Sequence, residues 1–132
     1  MPALLEAYQL TRRAANVGFD WESIEGVLEK MMEETEELRA RLKEKNTNAE
    51  SAEAQRTQRG IEEEIGDLLF VAVNVARFLG ADPEIALKKA NRKFAERFRE
   101  MERRATGHGR RLADMEIGEM EELWQEAKKE CG

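Results

Sequence analysis

The sequence predicts an all-α protein, an antiparallel helical bundle of about four to five helices, and three observations carry that prediction. Charged residues make up 38% of the 132 and proline occurs only twice, a mix that suits long solvated helices. Apolar residues recur in steps of three and four along several segments, the period of an amphipathic helix. No segment alternates apolar and polar residues in the manner of a strand. At this length the chain fits a single domain, residues 1–132, with a modest core.

The first helix is expected from Pro2 to about Val17, because proline suits a first turn and Gly18 can close the helix in a left-handed conformation. Leu4, Leu5, Tyr8 and Ala15 give it one apolar side. A second helix follows Asp20, expected as its N-cap, and extends to about Lys45. Its seam reads Ile24, Leu28, Met31, Thr35, Leu38 and Leu42. The polar stretch from Asn46 to Arg59 reads as an exposed, mobile loop.

A third helix is expected over Ile61 to Leu79, with a stripe of Ile61, Ile65, Leu68, Ala72 and Leu79. Its second half, LLFVAVNVARFL, is apolar nearly all round, which predicts the most buried element. Gly80 stops it. Asp82-Pro83 then supplies an N-cap and a first-turn proline for a fourth helix to about Ala105. Leu87, Ala90, Phe94, Phe98 and Met101 form its expected core stripe. After the loop TGHGRRLAD, a last helix covers about Gly118 to Lys129, with Met120, Leu123, Trp124 and Ala127 inward.

Composition excludes several functions. A net charge of -6 argues against a nucleic-acid partner, which would require a basic face. The longest apolar stretch, Leu68 to Val73, is too short to span a membrane. The N-terminus lacks the pattern of a signal peptide, so a cytoplasmic protein is expected. Cys131 stands alone, so no disulfide or thiolate zinc site can form within the chain. A single histidine, His108, argues against a di-iron bundle and a histidine-ligated zinc site. No phosphate-loop glycine motif is present, so a nucleotide site would have to be built from helix faces.

Two acidic motifs carry the chemistry: EETEEL at Glu33 to Leu38, and EEIGDLLF at Glu63 to Phe70. Glu34 with Glu37, and Glu64 with Asp67, are i, i+3 pairs that share a helix side. With Met31 at the centre of the second helix's stripe, Glu34 falls roughly 60° to one side, while Glu33 and Glu36 point to solvent. Glu64 likewise flanks its stripe. A lone pair of this kind is most often a solvated face. Here, however, the second pair runs straight into the most apolar segment, where solvated charge has little reason to sit. Four converging carboxylates would repel and resist ionisation. A hard divalent cation relieves that conflict, and oxygen-only ligands suit Mg2+ or, as a substitute, Mn2+.

On the fourth helix, Lys93 and Arg97 form an i, i+4 row that fits either phosphate binding or a surface ion-pair ladder with Glu96 and Glu100. Trp124 and Lys128 repeat the spacing on the last helix, where Trp124 is either core or a stacking platform.

Taken together, these motifs resemble the MazG-type nucleotide pyrophosphohydrolases. The family hallmark, Glu-Glu-x-x-Glu followed by Glu-x-x-Asp, is matched by Glu33-Glu34-Thr35-Glu36-Glu37 and Glu64-Ile65-Gly66-Asp67. The resemblance extends through GDLLF, NRKFAERF and ELWQEAKK, and the opening RRAANVGFDW looks like the start of the C-terminal catalytic domain of two-domain members. It implies hydrolysis of nucleoside triphosphates to a monophosphate and pyrophosphate. It further implies that Glu34, Glu37, Glu64 and Asp67 are the catalytic, magnesium-holding acids. Lys93 and Arg97, with Lys30 as a weaker candidate, would bind the substrate's phosphates, and Trp124 would lie near its base or sugar. A glutamate of the second helix would orient or deprotonate the attacking water. The chain reads as a single-domain member or an excised domain. Alternatives are a relative narrowed to dUTP, dCTP or phosphoribosyl-ATP, or a non-catalytic helical interaction module. At Gly60 the chain departs from the family, whose members can present a basic residue there. A homodimer or larger homo-oligomer is also expected, because Val71 and Phe78 lie off the stripe of the third helix and would need a partner surface.

Overall fold

The computed structural model describes residues 1–45 and 51–132. Among these, five α-helices and one short 3-10 turn account for all regular structure, and no strand occurs. The helices are α1 (Ala3–Asn16), α2 (Ile24–Lys45), α3 (Ser51–Phe78), α4 (Pro83–Gly107) and α5 (Ile117–Cys131), with the 3-10 turn at Leu112–Asp114. The expected all-α class is therefore what the chain adopts. Residues divide into two compact units, Met1–Glu84 and Ile85–Gly132.

Helix ends follow the local chemistry. Gly18 and Gly80 have φ of 94° and 78°, a region that costs glycine little and other residues much. Each sits in a Schellman closure: Phe19 N–H donates to the Ala14 carbonyl at 2.9 Å, and Ala81 N–H to that of Ala76 at 2.8 Å. Asp82 caps α4 as expected, accepting from the Glu84 N–H at 2.9 Å. Asp20 does not cap α2. That helix begins at Ile24, and the Asp20 carboxylate instead accepts from its neighbour Trp21 N–H and from Arg77.

The third helix starts ten residues earlier than expected. Residues 51–59, read as part of a mobile loop, are helical, while 46–50 lie outside the described residues. Ala52, Ala54, Gln55 and Arg56 are strong helix formers. Their lack of an apolar face signals missing core contact rather than missing helix.

In the first unit α3 packs against both α2 and α1. Arg41 approaches Gly60 and Glu64, while Asp20 reaches Arg77. Residue numbers therefore rise along α2 as they fall along α3, which makes the pair antiparallel. Besides Gly26, Lys30 and Thr35 of α2 and Gly60, Val73, Asn74, Ala76 and Arg77 of α3, the less exposed positions are Ile24, Val27, Met31, Glu34, Leu38 and Arg41 of α2 and Thr57, Ile61, Glu64, Leu68, Val71, Val75 and Phe78 of α3. Both sets alternate steps of three and four, a coiled-coil seam. This register corrects the expected one: Leu28, Leu42, Ile65, Ala72 and Leu79 face away from the seam and are exposed, while Val71 is buried. Nor is α3 apolar and covered all round, since Leu69 and Phe70 are also exposed. The argument that Val71 needs a partner surface fails, because α3's own seam covers it.

In the second unit Met101 and Ala105 of α4 pack with Leu123 and Ala127 of α5, flanked by Leu112, Met115, Met120 and Trp124. Arg104 ties the two helices together, pairing with Glu100 on its own helix and with Glu126 and Glu130 on α5. Hydrogen bonds from Arg103, then those from Arg104, hold the Glu100 carboxyl down to about 2. Of the expected α4 stripe only Met101 is buried; Leu87, Ala90, Phe94 and Phe98 are exposed. Within this unit a 15-residue α5 cannot cover the whole flank of a 25-residue helix.

Candidate active site

The heptad register places two glutamates where a helix pair normally puts leucine. Glu34 is 4% exposed and Glu64 is 7% exposed, and both stand in the α2–α3 seam. Glu37, one turn beyond Glu34 and exposed, completes a group: one carboxylate oxygen from each of Glu34, Glu37 and Glu64 lies within 4.8 Å of the others. Asp67 is not within that trio. It is exposed on α3 one turn further on, near enough to act electrostatically on Glu64. Glu33 and Glu36 point to solvent, as expected.

The trio strains its own electrostatics. Burial, then the Glu37 carboxyl held in a hydrogen bond to it, then the charges of Glu37, Glu34 and Asp67 push the Glu64 carboxyl above its ordinary range. Two cations offset part of this. Lys30 Nζ lies 3.1 Å from Glu34 and 3.5 Å from Glu33; Arg41 Nε lies 3.7 Å from Glu64. Yet Glu34 Oε2 and Glu64 Oε2 remain buried with no hydrogen-bond partner. Buried carboxylate oxygens rarely go unmatched in a folded protein. Two such atoms on facing helices, with further carboxylates beside them, fit a hard divalent cation.

Next to the acids lies a cavity of about 540 Å3. Lys30, Glu34 and Asp67 line one part of it, and Phe19, Trp21 and Phe70 supply aromatic surface. Thr11, Asp20, Asn74 and Arg77 line it too, and they are joined to one another. Arg77 donates from Nε to Thr11 Oγ1 at 3.1 Å, from both terminal nitrogens to the Asp20 carboxylate at 3.1 and 2.6 Å, and to Asn74 Oδ1 at 3.1 Å. The hydrogen bond from Arg77 holds the Asp20 carboxyl below its usual range. This clamp fixes the segment between α1 and α2 that carries Phe19 and Trp21.

Of the basic and aromatic candidates, Lys30 belongs with the acids. Lys93, Arg97 and Trp124 belong to the second unit. There the Arg97 guanidinium lies 5.5 Å from the centre of the Trp124 ring, which also meets Phe94 at 5.5 Å. Arg97 Nε is buried without a partner, and Lys93 is exposed.

Sequence reading missed Arg41 and the cavity wall. A charge inside an apolar helix, Arg77 in VNVARFL, was a usable signal, since such residues are usually paired. The seam position of the glutamates gave a weaker one, since the second acidic pair runs into the most apolar segment while hydrophobicity alone sets a seam register.

The fold and the site define a class: an all-helical protein whose facing helices bury a carboxylate cluster able to hold a metal. Residues 22–104 match the family model for the MazG nucleotide pyrophosphohydrolase domain. The nucleoside triphosphate pyrophosphohydrolase of Escherichia coli K12 is 43% identical over 130 residues, covering 98% of this chain and 46% of that protein. The nucleoside triphosphate pyrophosphohydrolase/pyrophosphatase MazG of Thermotoga maritima is 44% identical over 128 residues, covering 97% of this chain and 45% of that protein. The chain thus spans about half the length of these curated relatives. It belongs to the MazG nucleotide pyrophosphohydrolase family.

The strained carboxylate yields a stability prediction. Because the Glu64 pKa is raised in the fold, its ionisation disfavours the folded state, and stability is lost as pH rises through that raised value. In excess chelator at pH 7, Glu64→Gln should melt at a higher temperature than the wild type. The difference should vanish below about pH 4.5, the group's ordinary value, where the wild-type residue is protonated too. A less stable Glu64→Gln at pH 7 in thermal circular dichroism would show that the carboxylate supports the fold.

Proposed function

We propose that the chain hydrolyses nucleoside triphosphates to nucleoside monophosphate and pyrophosphate, using Mg2+ or, in its place, Mn2+. The single observation that carries this reading is the pair of unmatched buried oxygens, Glu34 Oε2 and Glu64 Oε2, on residues whose carboxylates come within 4.8 Å of one another across the α2–α3 seam. The names of the relatives agree with it. Glu34, Glu37, Glu64 and Asp67 would hold the metal, which supplies Lewis-acid polarisation of phosphate oxygens and makes water more acidic.

The chain's own residues do the rest. Glu37, the exposed glutamate of α2, orients the attacking water and takes its proton. The water oxygen bonds to the α-phosphorus, the bond from that phosphorus to the bridging oxygen breaks, and pyrophosphate leaves. Lys30 pairs with Glu34 and offers a cation to phosphate on the same side. The neighbouring cavity takes the base and sugar: its size is ordinary for a small-molecule site, and Asp20 and Arg77 spend their charges on each other, leaving an environment suited to an uncharged base. Lys93 and Arg97 as phosphate contacts, and Trp124 near the nucleoside, rest on the family resemblance alone. No helix among the described residues is long and apolar enough to cross a membrane; with the acidic composition, that supports a cytoplasmic enzyme without a nucleic-acid partner. Exposed Ile65, Leu69, Phe70 and Leu79 on α3 support a homodimer or higher homo-oligomer.

Incubation of the purified chain with ATP and other nucleoside triphosphates should release pyrophosphate, not orthophosphate, and excess EDTA should abolish the release. Mg2+ at about 100 times its Kd should also stabilise the fold by about 2.7 kcal/mol. Orthophosphate as the product, or turnover undiminished in EDTA, would sink the reading.

Lys93→Ala and Arg97→Ala should each lower kcat/KM about tenfold or more, the scale of a lost charge-assisted phosphate bond. Glu96→Ala on the same helix should change it less than about threefold. Equal small effects at all three positions would return Lys93 and Arg97 to the status of surface charge. Light scattering at micromolar concentration should give at least twice the chain mass; a fully active monomer would refute the oligomer.

A further inference from the structure

Asn74 is 4% exposed and lines the cavity, yet the reaction described above gives it no task. Its amide cannot turn freely. Arg77 Nη2 donates to Asn74 Oδ1 at 3.1 Å, and a guanidinium carries donors only, so the reversed amide would set N–H against N–H. The oxygen is therefore held on Arg77 and Nδ2 faces away from it. One of the two Nδ2 hydrogens goes to the Phe70 carbonyl at 3.3 Å. The other has no partner among the described residues, and a buried donor left unmatched is costly. The polar groups around it are engaged. Thr11 Oγ1 donates to the Ala7 carbonyl and accepts from Arg77 Nε, while Asp20 takes both terminal nitrogens of Arg77 and the Trp21 N–H.

Position decides what this donor meets. Asp67 and Asn74 both line the cavity and stand seven residues apart on α3. Seven residues make two helical turns, so the two share a face and lie about 10 Å apart along it. Asp67 stands by the acids, at the phosphate end. The span from there to Asn74 is comparable to the reach of a nucleotide from its α-phosphate, across the sugar, to the far edge of its base. On that edge, at C6 of a purine or C4 of a pyrimidine, guanine, hypoxanthine, uracil and thymine carry a carbonyl oxygen. Adenine and cytosine carry an amino group there.

We propose that Asn74 is a specificity-determining residue whose Nδ2 donates to that carbonyl, so that the chain favours triphosphates of keto bases over those of amino bases. This rests on the pyrophosphohydrolase reading above. With a keto base the unmatched hydrogen gains an acceptor. With an amino base a donor meets a donor, and both lose water without replacing it. Arg77 is a positioning residue for this contact: it acts through Asn74 by fixing which end of the amide faces the base.

The test compares GTP with ATP and UTP with CTP at saturating Mg2+, by kcat/KM for pyrophosphate release. Calorimetry with the non-hydrolysable α,β-methylene analogues of GTP and ATP reads the same choice without turnover. The wild type should favour the keto member of each pair about tenfold. Asn74→Asp keeps an oxygen on Arg77 but puts an acceptor where the donor was, and should bring the ratio to parity or reverse it. Asn74→Ala removes the donor and should bring the ratio to parity. Each ratio compares two nucleotides on one protein, so a partial loss of folded material cancels. Equal treatment of both members by the wild type would overturn the proposal. So would a wild-type preference that both variants keep while all four nucleotides weaken together, because Asn74 would then only brace Arg77. A wild type that binds the GTP analogue more tightly yet releases no pyrophosphate would leave the base contact standing and sink the pyrophosphohydrolase reading. Failure to bind either analogue would overturn both.

Discussion

Everything in the first unit is arranged around two carboxylates buried in the seam between α2 and α3. Glu34 and Glu64 occupy core positions of a heptad pattern whose other members are Ile24, Val27, Met31 and Leu38 on one side and Ile61, Leu68 and Val71 on the other. Those apolar neighbours set the spacing of the helices and so hold the acids at a fixed separation. Left to themselves the acids would force the seam apart, since each carries an oxygen with no partner and buried like charges disfavour one another's ionisation. The partial remedies are visible. Lys30 pairs with Glu34, Arg41 approaches Glu64, and the Glu64 carboxyl shifts towards its neutral form. None of these satisfies the two unmatched oxygens. A seam built this way favours a bound divalent cation, and any such cation is in turn linked to the stability of the helix pair.

The other interaction on which the site depends is the Arg77 clamp. Arg77 sits on the last turn of α3, and one guanidinium engages α1 through Thr11, the segment after α1 through Asp20, and its own helix through Asn74. The Schellman closure at Gly18 turns the chain out of α1 so that Phe19, Asp20 and Trp21 follow directly. The Trp21 ring edge then lies over Gly26, 3.5 Å from where a Cβ would stand. An exposed loop with two aromatic residues is thereby held as a wall beside the acids instead of being left free.

Much of this was legible in the sequence, because the signals involved are local. The caps at Gly18, Gly80 and Asp82-Pro83 depend on backbone sterics and fell where expected. The i, i+3 carboxylate pairs depend only on helix geometry. What failed was the register of the α2–α3 seam and of the α4 stripe, whereas the inward face of α5 fell where expected. A seam drawn through the apolar residues alone passes through Leu28 and Ile65; the folded pair instead turns enough to bring Glu34 and Glu64 inside and leave Leu28 and Ile65 outside. Charged residues at core positions are read as boundary positions by any hydrophobic pattern. For the same reason Asp20 looks like a helix cap in the sequence: its partner stands 57 residues away on another helix, and only tertiary structure reveals it. Residues 51–59 mislead in the opposite sense: they look like loop for want of an apolar face, although their composition favours helix.

The same geometry divides labour within the proposed site. The acids are fixed by helix-on-helix packing, which is rigid because every change in seam volume is felt by neighbouring side chains. Their separation cannot drift without unpacking Val27, Ile61 and Val71. The cavity wall, by contrast, is carried by a short segment between α1 and α2 and depends on one guanidinium for its position. On the proposed reading, chemistry common to all nucleoside triphosphates, the phosphorus and its metal, would thus fall to the part that sequence change would disturb most. Discrimination among bases would, on the same reading, fall to the segment at Phe19 to Trp21, where substitution would reshape the wall while leaving the seam intact. A family can diversify its substrates on such a plan without rebuilding its metal site, because the two tasks share a border, at Glu34 and Asp67, but not a scaffold.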